Sequence, residues 1–173
     1  MAVSLYDDVG GLDGLRRLSA AFYKAVLADD QLAPVFAHFT EEHAEHVAVW
    51  LAEVFGGPAG YTAHLGGHQA LLRSHQGIGI REEHRQRWLQ LMAAAIDQVF
   101  PGRPELANSL MSYFEWGTAI AKDVSQDPAG TDVGEPGPTP RWATRACSSR
   151  RGDRGPGPRC QNSRWRGCRA RVL

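Results

Sequence analysis

His75 closes the run Leu71-Leu72-Arg73-Ser74-His75, and Trp88 follows thirteen residues later inside the next predicted helix. A neutral imidazole at the end of an apolar segment can offer a ring nitrogen to a metal ion or a haem iron. A lone histidine so placed is more often a hydrogen-bonded core or edge residue, so the side chains around it must decide. The chain has seven histidines, of which His43 and His46 are three apart and His64 and His68 four apart. Those spacings suit a ligand pair on a helix, but a zinc or di-iron centre needs further ligands on facing helices, and no Glu-x-x-His pair recurs. No Gly-x-Ser-x-Gly elbow, phosphate loop or dinucleotide fingerprint is present, which leaves hydrolase and nucleotide chemistry without a foothold. Cys147, Cys160 and Cys168, at spacings of thirteen and eight, match no zinc pattern.

The elements that must position these residues read as helices. Leu15, Leu18, Phe22 and Val26 recur at three and four residues, with Asp13 as a candidate cap and Tyr23 at the border of that face. Leu32, Val35, Phe36 and Phe39 form an apolar corner around Pro34. Thr40 caps a second helix with Glu41 and Glu42 in its first turn, and its face runs Val47, Trp50, Leu51, Val54 and Phe55, with His43 one turn before Val47. Gly56-Gly57-Pro58 stops it. Residues 60–67 read as a loop and 68–75 as a short helix. A long helix from near Arg81 buries Trp88, Leu91, Met92, Ala95, Ile96 and Val99. A last helix from about Glu105 turns Leu106, Leu110, Met111, Phe114, Gly117, Ile120 and Ala121 inward. Nothing in this body reads as a strand, so the fold class is all-α with four principal helices.

Charge divides the chain. Residues 1–123 carry nine Lys and Arg against fifteen Asp and Glu, and residues 124–173 carry ten arginines against four acids, so a net zero covers a −6 body and a +6 extension. The extension is rich in Pro, Gly, Arg and Ser, lacks any apolar period, and is expected to be disordered. Its arginines invite nucleic acid, but no nucleic-acid-binding module accompanies them and the body is acidic, so no nucleic-acid partner is expected. Met1 to Asp8 meets acid before any apolar run and no eighteen-residue apolar stretch occurs, which leads to the expectation of a cytoplasmic protein with no membrane partner.

Together these residues carry a likeness. Tyr6-Asp7 with Val9-Gly10-Gly11, Phe22-Tyr23, Phe36, Gly56-Gly57-Pro58, Gly67-His68, Leu71 to His75 and Trp88 stand in an order and spacing that resembles the truncated haemoglobins over residues 4–123. Trp88 and the Gly-His element resemble the second group of that family. The resemblance implies a truncated globin domain, 1–123, folded as a two-over-two helical sandwich, followed by the extension 124–173. It implies haem b as cofactor with His75 as proximal iron ligand. Phe36 would pack on the haem face, with His43 and Val47 on the distal helix, and Leu71 and Arg73 complete the cofactor-binding set. Tyr23 and Trp88 would stabilise the distal ligand.

Two departures stand out. Ser74 occupies a place where arginine often precedes the proximal histidine, and His43 a place that is usually smaller. The implied ligands are O2, NO and CO. Two donors on bound O2 would slow its release, which favours NO dioxygenation or peroxide turnover, with an electron-donating reductase, over bulk delivery. A homodimer is left open. A haem-free helical sensor or interaction module and a non-haem metal-binding bundle are the competing readings.

Overall fold

The computed structural model describes residues 4–135 and 137–142. Its seven helices are α1 (Leu5–Asp8), α2 (Gly11–Leu27), α3 (Glu41–Val54), α4 (Gly60–Leu65), α5 (Gly67–His75), α6 (Glu82–Val99) and α7 (Pro104–Val124), and no strand occurs among the described residues. The four long ones pack as two layers, with α2 against α3 and α6 against α7, and α2 also resting on α6. This is the two-over-two arrangement, and α1, α4 and α5 fill its flanks.

Local chemistry explains where the helices begin. Ser4 and Asp7 form a reciprocal capping box on α1, and Thr40 Oγ1 accepts from His43 N at the start of α3. The expected cap of α2, Asp13, lies instead in its first turn, because Gly10 takes the cap position in the left-handed region. A Cβ on Gly14 would stand 1.7 Å from the Val9 carbonyl oxygen, so glycine alone lets α1 and α2 meet at this corner. Gly56, at φ 101°, ends α3 as expected, and Gly57 N then donates to Ala52 O at 2.8 Å.

The inner face of α2 is the one the spacing predicts: Leu15, Leu18, Phe22 and Val26 are at most 1% exposed. The face of α6 buries Met92, Ala95 and Ile96 as expected and adds Leu89, while Trp88, Leu91 and Val99 are only half-buried and Trp88 turns to a cavity. In α7, Tyr113 joins the core although the spacing did not mark it. Residues 60–65 form α4 and not a loop; burial of Tyr61 against α3 supplies what periodicity lacks. Between α2 and α3, Asp29 Oδ1 accepts from the Gln31 and Leu32 amides, and Oδ2 accepts from Arg87 Nε at 2.7 Å, which ties the apolar corner to α6.

The expected boundary near residue 124 is the end of α7, but described packing continues to Trp142. Gly77 N donates to Asp127 O, Arg141 Nη1 to Glu53 O, and Trp142 N to Val54 O, while the Trp142 ring lies 5.6 Å from that of Trp116 and 5.7 Å from that of Tyr113. Polar contacts and one aromatic anchor hold this stretch, which is why apolar periodicity does not reveal it. The three cysteines and most of the arginines lie outside the described residues. No described helix is long and apolar enough to cross a membrane. Trp142→Ala should cost about 1.5–2.5 kcal/mol, half the fully buried tryptophan value. That lowers Tm by about 4–8 °C for a chain of this size. An unchanged melting curve would show that the anchor contributes nothing.

Candidate functional site

One cavity of about 460 Å³ opens between the layers, within the ~300–1,000 Å³ usual for cofactor sites. Its wall is mostly apolar and aromatic. It gathers Tyr23 from α2, Phe36 from the corner, His43 and Val47 from α3, Leu71 and His75 from α5, and Trp88 from α6. Every expected site residue is on this wall except Arg73. That side chain is exposed and reaches back to Gln69 Oε1 at 3.3 Å, one turn earlier on α5, because two residues before His75 a helix has turned its face outward. The arginine on the cavity wall is Arg85, fixed by Thr118 Oγ1, the Glu115 carbonyl and Glu82.

His75 Nδ1 lies 2.8 Å from the Leu71 carbonyl oxygen. A carbonyl only accepts, so the ring donates its Nδ1–H and the proton is fixed on that nitrogen. Nε2 is left with its lone pair, which is the arrangement that prepares a histidine as a metal ligand. Ser74 Oγ donates to the same carbonyl at 2.6 Å, which shows what the serine beside the histidine does here. Among the described residues no group of three or more His, Cys, Asp or Glu could hold a bare metal ion. A single prepared imidazole in an apolar cavity with one arginine on its wall fits a flat, largely apolar cofactor bearing its own iron, such as haem.

Tyr23 is 5% exposed, and burial pushes its phenol well above the ordinary value, so it stays protonated and able to donate. Its oxygen is 3.0 Å from His43 Nε2. With Nε2 bare, Tyr23 donates to His43; with Nε2 protonated, Tyr23 accepts and its own hydrogen is free for another acceptor. The Tyr23 ring is held by Phe39 at 4.7 Å and Phe36 at 5.8 Å between ring centres, and the Trp88 ring by Phe22 at 4.6 Å and Phe114 at 5.4 Å. Trp88 Nε1 has no hydrogen-bond partner among the described residues.

Sequence reasoning missed the far end of the cavity. There Trp50 Nε1 donates to Tyr113 Oη at 2.7 Å, and the His68 ring stacks on Trp50 at 5.7 Å. The Gly67-His68 pair was the available signal, but nothing in the spacing places it against Trp50. Beside this end Glu53 is 2% exposed. Its burial would raise the carboxyl, but hydrogen bonds involving Thr139 and Thr62 bring it below the ordinary value, and Thr62 supplies both its amide and its hydroxyl.

A family model described as bacterial-like globin matches residues 4–116. A thermostable hemoglobin of the actinobacterium Thermobifida fusca is 30% identical, with TM-score 0.61 over 73% of this chain and 99% of that one. The group II truncated hemoglobin of Bacillus anthracis, 23% identical with TM-score 0.63 over 76% of this chain and 97% of that one, shares the fold. Group 1 truncated hemoglobin GlbN of Nostoc commune is 29% identical over 82 residues, which are 47% of this chain and 65% of the relative. The chain thus spans less than two thirds of that relative's length.

Burial pushes His43 and His68 below the ordinary 6.5, and for His43 repulsion from His75 and His46 adds to it. Below that pH the unfolded chain takes up protons that the folded chain refuses. Stability from these groups is therefore full above 6.5 and declines as the medium is acidified, levelling once the folded-state values are passed. His68→Gln should make the fall of Tm between about pH 7 and pH 5 shallower. An unaltered slope would remove His68 from this account.

Proposed function

The chain belongs to the bacterial-like globins, and we propose that it holds haem b through His75 Nε2 and binds the diatomic gases O2, NO and CO in the cavity beside Tyr23 and Trp88. The observation that carries this reading is the His75 Nδ1–H bond to the Leu71 carbonyl, which leaves Nε2 as the one prepared lone pair on an apolar wall. Haem, held by the His75 imidazole, would supply an iron able to bind a diatomic gas.

The protein's own contribution is positioning and hydrogen-bond donation. Phe36 and Val47 give the cavity an apolar wall, and Arg85 offers a cation for the cofactor's carboxylates. Tyr23 O–H, in the state where His43 Nε2 carries a proton, and Trp88 Nε1–H are two donors for a gas that gathers negative charge. Hydrogen bonds to a charged acceptor contribute about 1.5–3 kcal/mol each. Two of them slow ligand release by orders of magnitude at about 1.4 kcal/mol per factor of ten.

Slow release favours NO dioxygenation or peroxide turnover over O2 delivery, and either reaction needs an electron-donating reductase outside this chain. The two donors also favour the second group of truncated haemoglobins, since Trp88 supplies one of them; the curated relatives bear the Group 1 name, and the solved structures include group II.

The ferrous protein should show a five-coordinate haem spectrum that shifts on adding CO, and His75→Ala should abolish that spectrum. Iron retained in His75→Ala without a haem band would instead support a non-haem metal bundle. Tyr23→Phe should release O2 about tenfold to a hundredfold faster in stopped-flow experiments. An unchanged off-rate would take Tyr23 out of the ligand's surroundings.

A further inference from the structure

The helix that carries His75 is poorly equipped to stand by itself. α5 has nine residues, of which only Gly67 is buried, and its packing partners are α4 and α7. Isolated helices below about 12–15 residues are marginal in water. A cofactor ligand on such a helix needs an external brace, and the brace comes from beyond residue 116, where the family match ends.

After α7 the chain turns back along α5. Gly79 N donates to Ser125 O at 2.9 Å, Ile80 N to Ser125 Oγ at 2.9 Å, and Gly77 N to Asp127 O at 2.8 Å. Gln126 Nε2 returns a bond to Ile80 O at 2.9 Å. Gln76, the residue after His75, is 8% exposed and makes a paired contact: its Nε2 donates to Thr131 O at 2.8 Å and its Oε1 accepts from Gly130 N at 3.0 Å. Gln69, at the other end of α5, donates to Gly134 O. The two ends of the helix are thus held by one continuous stretch of backbone.

We propose that residues 125–134 form a strap that sets the place of the His75 imidazole, and that Gln76 is its principal positioning residue. The proposal rests on the reading of His75 as the haem ligand. Gln76 does not line the cavity. It acts by fixing the point where α5 ends in extended backbone, and so the last helical turn in which His75 Nδ1 meets the Leu71 carbonyl. A loose strap lets that turn fray, and the ring then loses both its tautomer and its aim.

Gln76→Leu in the full-length chain keeps the side chain's bulk and removes both bonds. In the protein freed of haem, amide hydrogen exchange at Gly77 and Gly79 should quicken by about tenfold or more, while amides of α2 and α6 stay protected. The His75 ring should show mixed nitrogen-15 signals in place of one Nδ1–H tautomer. In the haem-loaded ferrous protein the iron–histidine stretching band should shift and broaden. Gln126→Ala, on the exposed side, should give a smaller change of the same sign. Unchanged exchange at Gly77 and Gly79 with an unchanged ring signal overturns the proposal, as does exchange that quickens equally in every helix. Local quickening with a disturbed ring in a protein that never takes up haem supports the strap and defeats the ligand reading, so the two failures are distinguishable.

Discussion

A single hydrogen bond organises this molecule: the one from His75 Nδ1–H to the carbonyl oxygen of Leu71. It turns an imidazole with two possible tautomers into a directed ligand, because only the nitrogen left bare can coordinate. The bond spans four residues and exists only while the last turn of α5 is helical. That turn depends on Gln76 and the backbone beyond α7 on one side and on Gly67 packed near Thr62 on the other. The large core of α2, α3, α6 and α7 fixes where the cavity is. The small helix on its flank fixes what the cavity can hold.

The donor side shows a different logic. Tyr23 is buried among rings, which keeps it a phenol, yet its hydroxyl is engaged by His43. The His43 proton therefore decides whether the tyrosine's hydrogen is spent inside the protein or offered to the cavity. Trp88 is free of that competition. The two donors are thus unequal, one conditional on a neighbour and one constant.

Much of this was legible in the sequence, for identifiable reasons. Leu15, Leu18, Phe22 and Val26 mark α2 because a long helix packed on one side must repeat its apolar residues every three or four positions. The resemblance groups Tyr23, Phe36, His43, Val47, Leu71, His75 and Trp88, and all seven lie on the cavity wall. Arg73 lies off the cavity wall, since two residues on a helix is about 200° of rotation. Tyr113 and His68 were missed because their partner, Trp50, is distant in sequence and joined to them by a hydrogen bond and a ring stack. The stretch from Ser125 to Trp142 reads as part of a disordered extension because backbone and polar side chains hold it, and such contacts leave no apolar period.

The close of α3 has a further consequence. Tyr6 N donates to Phe55 O, and Trp142 N donates to Val54 O, so the first helix and the last described residues are moored to neighbouring carbonyls. The described fold is a closed ring of chain fastened at one clasp. Its two described ends lie side by side at the close of α3. Ends this close are the condition under which a fold tolerates being rejoined there and opened elsewhere on its surface.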